Sequence, residues 1–308
     1  MVSIPELLRD RAELESRLKL ISHDGSIEIK TVNGGKFLYE RKRVLGKLTS
    51  QYIDKYSEEL YALLIRQSFE ARSLKKEIRA IEKKLAKLGY QKGRLSERVM
   101  LNLDFARANV KSLIYDQAVL EGVSTTFPQT ETILENGKVN GVTPSDIQKI
   151  VNLKHAWEFI LDKDVIAAKS DYYLLCHIAK LVNEGFYEYG GRIRSVPVTI
   201  GGTSYIPPMP QELEVKEQIQ SLSLEQEDEI DIAIDLCLYC MKTQIFNDGN
   251  KRASIIFANH YLIGRGQGLI VIPQADVNEF RTLLVAYYKG RDEILIKNFM
   301  RDKCWRKF

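Results

Sequence analysis

Between Gln244 and Ser254 the chain reads QIFNDGNKRAS, a set of residue types suited to phosphate chemistry. Gly249 and Asn250 stand where a helix should begin, with Lys251 and Arg252 in its first turn. Free N–H groups at a helix start, joined to a partial positive dipole, favour a bound anion. Glycine permits the close backbone approach. Two cations in a first turn oppose the dipole unless an anion sits among them. Asp248 offers an oxygen to Mg2+, the usual companion of nucleotide phosphates. The same residues also suit a plain aspartate-capped helix, so the stretch alone leaves both readings open. Gln244 stands out. Where such a loop would want a proton acceptor it carries a carboxamide, which takes no proton near neutral pH.

The elements that position this stretch can be read from periodicity. A first amphipathic helix carries Leu7, Leu14, Leu18 and Ile21 on one stripe. SIEIKTV, KFLYERKR and GKLTSQYID follow, and Asn33-Gly34 between the first two is a strong hairpin signal. A three-stranded meander is expected. A long helix from about 57 to 88 then spaces Leu60, Leu64, Ala71, Leu74, Ile78, Ile81, Leu85 and Leu88 by threes and fours, interrupted by Gln67. That seam suits an antiparallel hairpin with the first helix, or self-association into a homodimer. GYQKG at 89–93 marks a boundary, giving segments 1–90 and 91–308. The second segment reads as helices near 94–121, 128–136, 144–163, 170–184, 211–222, 225–243, 249–264, 274–288 and 291–303. The exception is RIRSVPVTIGGTSYIPPMP, whose β-branched alternation and Gly201-Gly202 predict a β-hairpin flap, Thr199, Ile200, Gly201, Gly202 and Thr203, ending in a proline bend.

Charge divides the chain in the same way. Residues 1–100 hold 22 Lys+Arg against 14 Asp+Glu, whereas the remainder is net acidic. In the first segment Arg41, Lys42, Arg43 and Lys47 are interleaved with Phe37, Tyr39 and Tyr52, a pattern that suits nucleic acid as well as a solvated sheet face. The sequence has no run of 18 apolar residues and no apolar signal core at its start, so no membrane association and a cytoplasmic location are expected. Cys237 and Cys240 form a CxxC within an apolar helix, with no second ligand pair nearby, and read as core.

QIFNDGNKR resembles the signature of the Fic/Doc (Fido-fold) proteins, His-x-Phe-x-Asp/Glu-Gly/Ala-Asn-Gly/Lys-Arg, at eight of nine positions. Upstream, YGGRIRSVPVTIGGTSYIPPMP resembles the family's target-docking flap, and AVLEGVSTTFPQTETIL resembles the region of its inhibitory glutamate. The resemblance covers roughly residues 110–300. It implies a mainly α fold, here preceded by a helical hairpin carrying the β-meander. It further implies that Phe246 anchors the loop, Asp248 holds Mg2+, and Gly249, Asn250, Lys251 and Arg252 bind the phosphates of ATP or another nucleoside triphosphate. The implied reaction is transfer of AMP to a Ser, Thr or Tyr hydroxyl of a target protein, or of γ-phosphate in the Doc branch, with a toxin–antitoxin setting among the contexts.

Three departures qualify what the resemblance implies. Gln244 replaces the histidine that takes the hydroxyl proton, and loss of such a base costs about 10²–10⁴ in rate. His23, His155, His177 and His260 do not match its place in sequence. Ile255 stands where a second arginine commonly grips the γ-phosphate and pairs with the inhibitory glutamate, so Glu121 is expected to have little to hold. Gln117 stands where serine or threonine is usual. The expectation is a nucleotide-binding protein of weak or altered transferase activity. The alternatives are a non-catalytic binding protein, a Doc-like kinase, or a nucleic-acid-associated factor acting through the basic segment.

Overall fold

The computed structural model describes residues 2–224 and 228–307, which form two compact units, Met1–Lys92 and Gly93–Phe308. The first few residues of the helix expected at 225–243 lie outside the described residues.

Unit 1 begins with α1 (Ile4–Leu20), started by a reciprocal cap between Ser3 and Glu6 and by Pro5. Three strands follow, β1 (Ser26–Val32), β2 (Gly35–Val44) and β3 (Lys47–Lys55), in an antiparallel sheet of order β1-β2-β3. Asn33 (φ 49°) and Gly34 (φ 78°) form the first turn, and the expected meander is present. The second turn is Leu45 (φ 50°) and Gly46 (φ 80°). Leu38 and Glu40 are the buried residues of the sheet, both on one face of β2. Ser68 of α2 (Glu58–Lys87) donates to the Gly25 carbonyl at 2.7 Å, tying that helix to the sheet. The two helices pack as a hairpin through Leu7 and Ala12 against the Leu64, Ala71 and Leu74 seam. On α1 the buried stripe lies beside the expected one. Arg11, Ala12 and Ser16 are buried whereas Leu14, Leu18 and Ile21 are only half-buried. Arg11 can occupy that stripe because Glu15, one turn on, lies 3.5 Å away.

Unit 2 runs through α3 (Glu97–Leu120), α4 (Phe127–Leu134), α5 (Pro144–Ile160), α6 (Lys163–Ile166), α7 (Tyr172–Val182), α8 (Glu212–Leu224), α9 (Glu229–Thr243) and α10 (Asn250–Arg265). It closes with α11 (Val277–Tyr288) and α12 (Glu293–Phe299), and with strand β4 (Leu269–Ile270) paired to β5 (Trp305–Arg306). The β4–β5 pair was not expected from the sequence; two residues per strand leave no alternation to detect. No described helix is long and apolar enough to cross a membrane. Cys237 and Cys240 are buried and free, with both thiols pushed up by burial.

Helix α10 is the axis of the unit. Asn250 and every residue from Arg252 to Ile263 are buried, with α9, α7, α3 and α5 packed around it. A helix covered on all sides must satisfy its polar residues internally. Asn259 exchanges hydrogen bonds with the backbone of Ile270 (2.8 and 2.9 Å), pinning β4. His260 bonds the Val165 carbonyl through Nε2 and Ser170 Oγ through Nδ1, both at 2.8 Å. A carbonyl only accepts, so Nε2 carries the proton and the serine hydroxyl donates to Nδ1. Burial pushes this imidazole down to about 4.

That depression fixes a pH dependence. The unfolded chain takes up the proton near pH 6.5 and the folded chain only near 4, so stability is complete above 6.5 and falls as pH drops between them. The loss approaches about 3 kcal/mol below pH 4. Urea unfolding at pH 7 and pH 4.5 should show it, and His260→Gln should lose that part of the slope. Equal slopes in both proteins would refute the assignment.

The segment expected as a hairpin flap carries its turn but no strands. Gly202 has φ 78°, and Thr203 N–H donates to the Ile200 carbonyl at 3.3 Å. Pro197, Pro207, Pro208 and Pro210 supply no N–H to a ladder, and a lone two-stranded hairpin is marginal in water. The carbonyls of the segment are served by Arg194 instead. This buried side chain donates to Val196 O (2.9 Å), Pro207 O (3.1 Å) and Pro208 O.

Candidate functional site

The site is the junction of α9 and α10. Gln244 ends α9 in a left-handed conformation, φ 49° and ψ 63°. Such backbone is rare for a residue with a Cβ and persists only where neighbours hold it. The neighbours are visible. Arg194 Nε donates to the Gln244 carbonyl at 2.6 Å, and the Arg194 N–H donates to the Ile245 carbonyl at 2.9 Å. The side-chain amide of Gln244 is equally engaged, donating to Met241 O at 2.7 Å and accepting from Asn250 Nδ2 at 3.0 Å.

Asn250 closes the loop. Its amide accepts from Phe246 N at 2.9 Å and donates to Phe246 O at 2.8 Å, so one side chain at the helix start fixes the turn before it. Phe246 is buried, anchoring the loop, whereas Asn247 and Asp248 are exposed. Gly249 has φ 72°, and a Cβ there would lie 2.6 Å from Asn183 Oδ1, so glycine is required twice over. Asn183, at the end of α7, donates to Asp248 O (2.9 Å) and Gly190 O (3.2 Å).

Arg252 is 3% exposed and faces inward. It donates to Val182 O at 2.7 Å and to Asp248 Oδ2 at 3.0 Å. Glu121, at the end of α3, lies 3.5 Å from Arg252 Nε and 3.5 Å from Lys251 Nζ. The expectation that Glu121 has little to hold is therefore corrected: the first-turn cations themselves are its partners. Contact is loose, however. Glu121 Oε1 and Arg252 Nε are both buried without a hydrogen-bond partner. Ile255 is a core position, lining with Leu113, Leu120, Trp157 and Ile270 a small apolar void. Gln117 is the polar side chain lining that void. Gln117 bridges the helices, donating to Arg252 O at 2.8 Å and accepting from Trp157 Nε1 at 3.0 Å.

Gln244, Asp248, Gly249, Asn250, Lys251, Arg252 and Glu121 are thus brought together, and Thr199–Thr203 form the separate turn described above. Two residues of the site were missed. Asn183 carries no local signal, and Arg194 lay in a quoted segment without being singled out; Gln117 was read as a departure from the family pattern, without the bridge it forms. A cleft of about 340 Å³ adjoins the end of α9, lined by Tyr205, Met209, Tyr239, Lys242, Thr243 and Tyr287.

Residues 169–262 match the Fic/DOC family, and residues 4–62 match a domain of unknown function, DUF6788. No curated protein matches the chain. Among solved structures, Fic-1 (aa134–508) from C. elegans is similar at TM-score 0.54 and 18% identity, over 80% of this chain and 73% of that one. A Fic family protein from Desulfovibrio desulfuricans G20 gives TM-score 0.53 at 16% identity, over 69% and 74%. At such identities the likeness shows the fold alone.

Proposed function

We propose that the Fic/DOC-family domain carried by this chain holds a Mg2+-bound nucleoside triphosphate, ATP foremost, at the start of α10, with transfer chemistry limited by Gln244. The observation that supports this most is the loose seating of Glu121. A helix start without a side-chain cap, two cations and a buried carboxylate lie together, yet Arg252 Nε and Glu121 Oε1 stay unbonded. A phosphate, with more acceptor oxygens and room to approach, would satisfy the donors that the carboxylate leaves unmet. Glu121 then acts as a tenant that a nucleotide displaces.

The residues also fit the metal. Among the described residues no three acidic, His or Cys groups cluster to hold an ion, so Mg2+ would arrive with the phosphates and take Asp248 as its protein carboxylate. Asp248 is half-exposed, as that role needs. The ion would supply charge neutralisation between the phosphates.

In AMP transfer a target hydroxyl oxygen bonds the α-phosphorus, the bond to pyrophosphate breaks, and the hydroxyl proton leaves for a base. Gln244 cannot accept that proton. Its amide is occupied with Met241 O and Asn250, which favours the second reading, a binding protein in which this residue braces the loop. Target and nucleotide preference belong to the proposal as a protein hydroxyl and ATP, with a Doc-like γ-phosphate transfer as the rival reaction.

Titration calorimetry with MgATP, ADP, GTP and CTP tests the reading. Glu121→Gln is expected to tighten nucleotide binding roughly tenfold, about 1.4 kcal/mol, by removing the competing charge. Lys251→Ala should weaken it. If neither wild type nor Glu121→Gln binds any of the four nucleotides, the phosphate-site reading fails.

A further inference from the structure

Unit 1 contains a feature that its own core does not need. β1 pairs with β2 only between Ser26↔Arg41 and Val32↔Gly35. The β2–β3 ladder continues past it through Lys42↔Thr49, Arg43↔Leu48 and Val44↔Lys47. Those last rungs stand beyond β1 as a two-stranded ribbon. Every residue from Arg43 to Tyr52 is exposed, so the ribbon is uncovered on both faces. At its tip Leu45 is 100% exposed and holds φ 50°, a conformation that asparagine or glycine adopts more readily. Val44 and Leu48 add exposed apolar surface. A bare ribbon with an unfavourable turn residue contributes little to folding.

Its charge names the partner. From Arg41 to Ile53 the chain has four basic residues and no acidic one. Arg41 is tied to Glu28 at 2.8 Å and Lys42 to Glu40 at 3.1 Å, near the root of the ribbon. Arg43 and Lys47 meet no carboxylate among the described residues. The cations nearest the tip are therefore the ones left for an external anion.

We propose that this ribbon binds duplex DNA, entering the major groove with Arg43 and Lys47 on phosphates and the Leu45 tip toward the base edges. The B-form major groove, about 12 Å wide, admits a two-stranded ribbon. The A-form RNA groove is too deep and narrow. Single strands are disfavoured for a different reason. Binding them relies on free aromatic faces, whereas Tyr39 and Phe37 pack on Tyr52 (5.6 and 6.2 Å) and Lys30 covers Tyr39 at 4.4 Å. This sheet stiffens the base of the ribbon. The proposal stands apart from the nucleotide reading, and neither requires the other.

Fluorescence anisotropy on the full-length chain tests it, with a short DNA duplex, each strand alone, and the RNA duplex of the same sequence. The DNA duplex should bind best, with log K falling linearly in log salt. Arg43→Ala with Lys47→Ala should reduce the magnitude of that slope by about 1.8, one phosphate contact being worth about 0.9. Leu45→Asn improves the turn, so it should weaken binding severalfold while leaving the melting temperature unchanged or higher. Lys36→Ala with Lys55→Ala removes the same charge from the opposite end of the β2–β3 ladder, beside the Phe37↔Lys55 rung, and should leave affinity within about twofold. The proposal is overturned if the DNA duplex does not bind at low salt. It is also overturned if the Lys36/Lys55 variant weakens binding as much as the ribbon variant, or if a single strand or the RNA duplex binds as tightly.

Discussion

With Gln244 replaced by histidine, labelled ATP is expected to mark protein hydroxyls at least tenfold faster than with the wild-type chain. The figure is the cautious end of the roughly 10²–10⁴ that a general base contributes. An imidazole near its ordinary pKa of about 6.5 can take the hydroxyl proton that a carboxamide refuses. An α-phosphate label would report AMP transfer, and a γ-phosphate label would report a Doc-like kinase. Part of the gain will be lost locally, because the substitution gives up the bonds of the Gln244 amide to Met241 O and Asn250. The left-handed backbone at 244 need not change, since Arg194 grips the main chain rather than the side chain. Adding Ile255→Arg, which the family pattern suggests, is not expected to help. Position 255 faces a small void lined by no carboxylate, whose one polar side chain, Gln117, is already engaged with Arg252 O and Trp157 Nε1, so a guanidinium there would be buried without an opposite charge. If Gln244→His binds nucleotide and labels nothing, the domain is a binding module and the transferase reading is wrong.

A second large effect is expected at Arg194. Replacing it with methionine should destabilise the chain by about 3 kcal/mol, read by urea unfolding, because one buried and three part-buried carbonyls lose their donor together. Arg194 ties the Gln244 carbonyl to those of Val196, Pro207 and Pro208, so a single side chain holds both the end of α9 and the 194–210 segment. Lysine should rescue little of this, since one ammonium cannot span acceptors that the planar guanidinium reaches in several directions. Limited proteolysis should then cut the 195–209 stretch before the rest of unit 2. A loss under about 1 kcal/mol would mean that water can replace the guanidinium, and the bracing role would fall.

The parts of this molecule that were legible in the sequence depend on neighbours in the chain. Asn33-Gly34 announced a turn, the spacing of Leu64, Ala71 and Leu74 announced a seam, and Gly249-Asn250 announced a helix start. What remained hidden acts across distance. Asn183 meets Asp248 over 65 residues, Arg194 meets Gln244 over 50, and Gln117 meets Arg252 over 135. No local pattern encodes such pairs. The flap shows how a true local signal misleads. Val196, Val198 and Ile200 alternate as a strand would, yet alternation needs a partner strand, and here an arginine takes the carbonyls. Glu121 was misjudged for a related reason. Its partner was sought at position 255, one turn further along α10, while Lys251 and Arg252 already faced it.

Asn183 touches the Asp248 carbonyl, the Gly190 carbonyl and, across a gap too small for a Cβ, Gly249. Together with the closure of Phe246 by Asn250, this leaves the 244–250 loop few ways to be disordered. Ordering that many ligand-binding proteins undergo on association is completed here when the chain folds. A nucleotide arriving at α10 would meet a surface already shaped, with only the Glu121 carboxylate left to swing aside. Its binding should therefore show a small heat-capacity change and little gain in hydrogen-exchange protection across residues 246–250. Any adjustment that nucleotide binding asks of this loop would fall on one side chain.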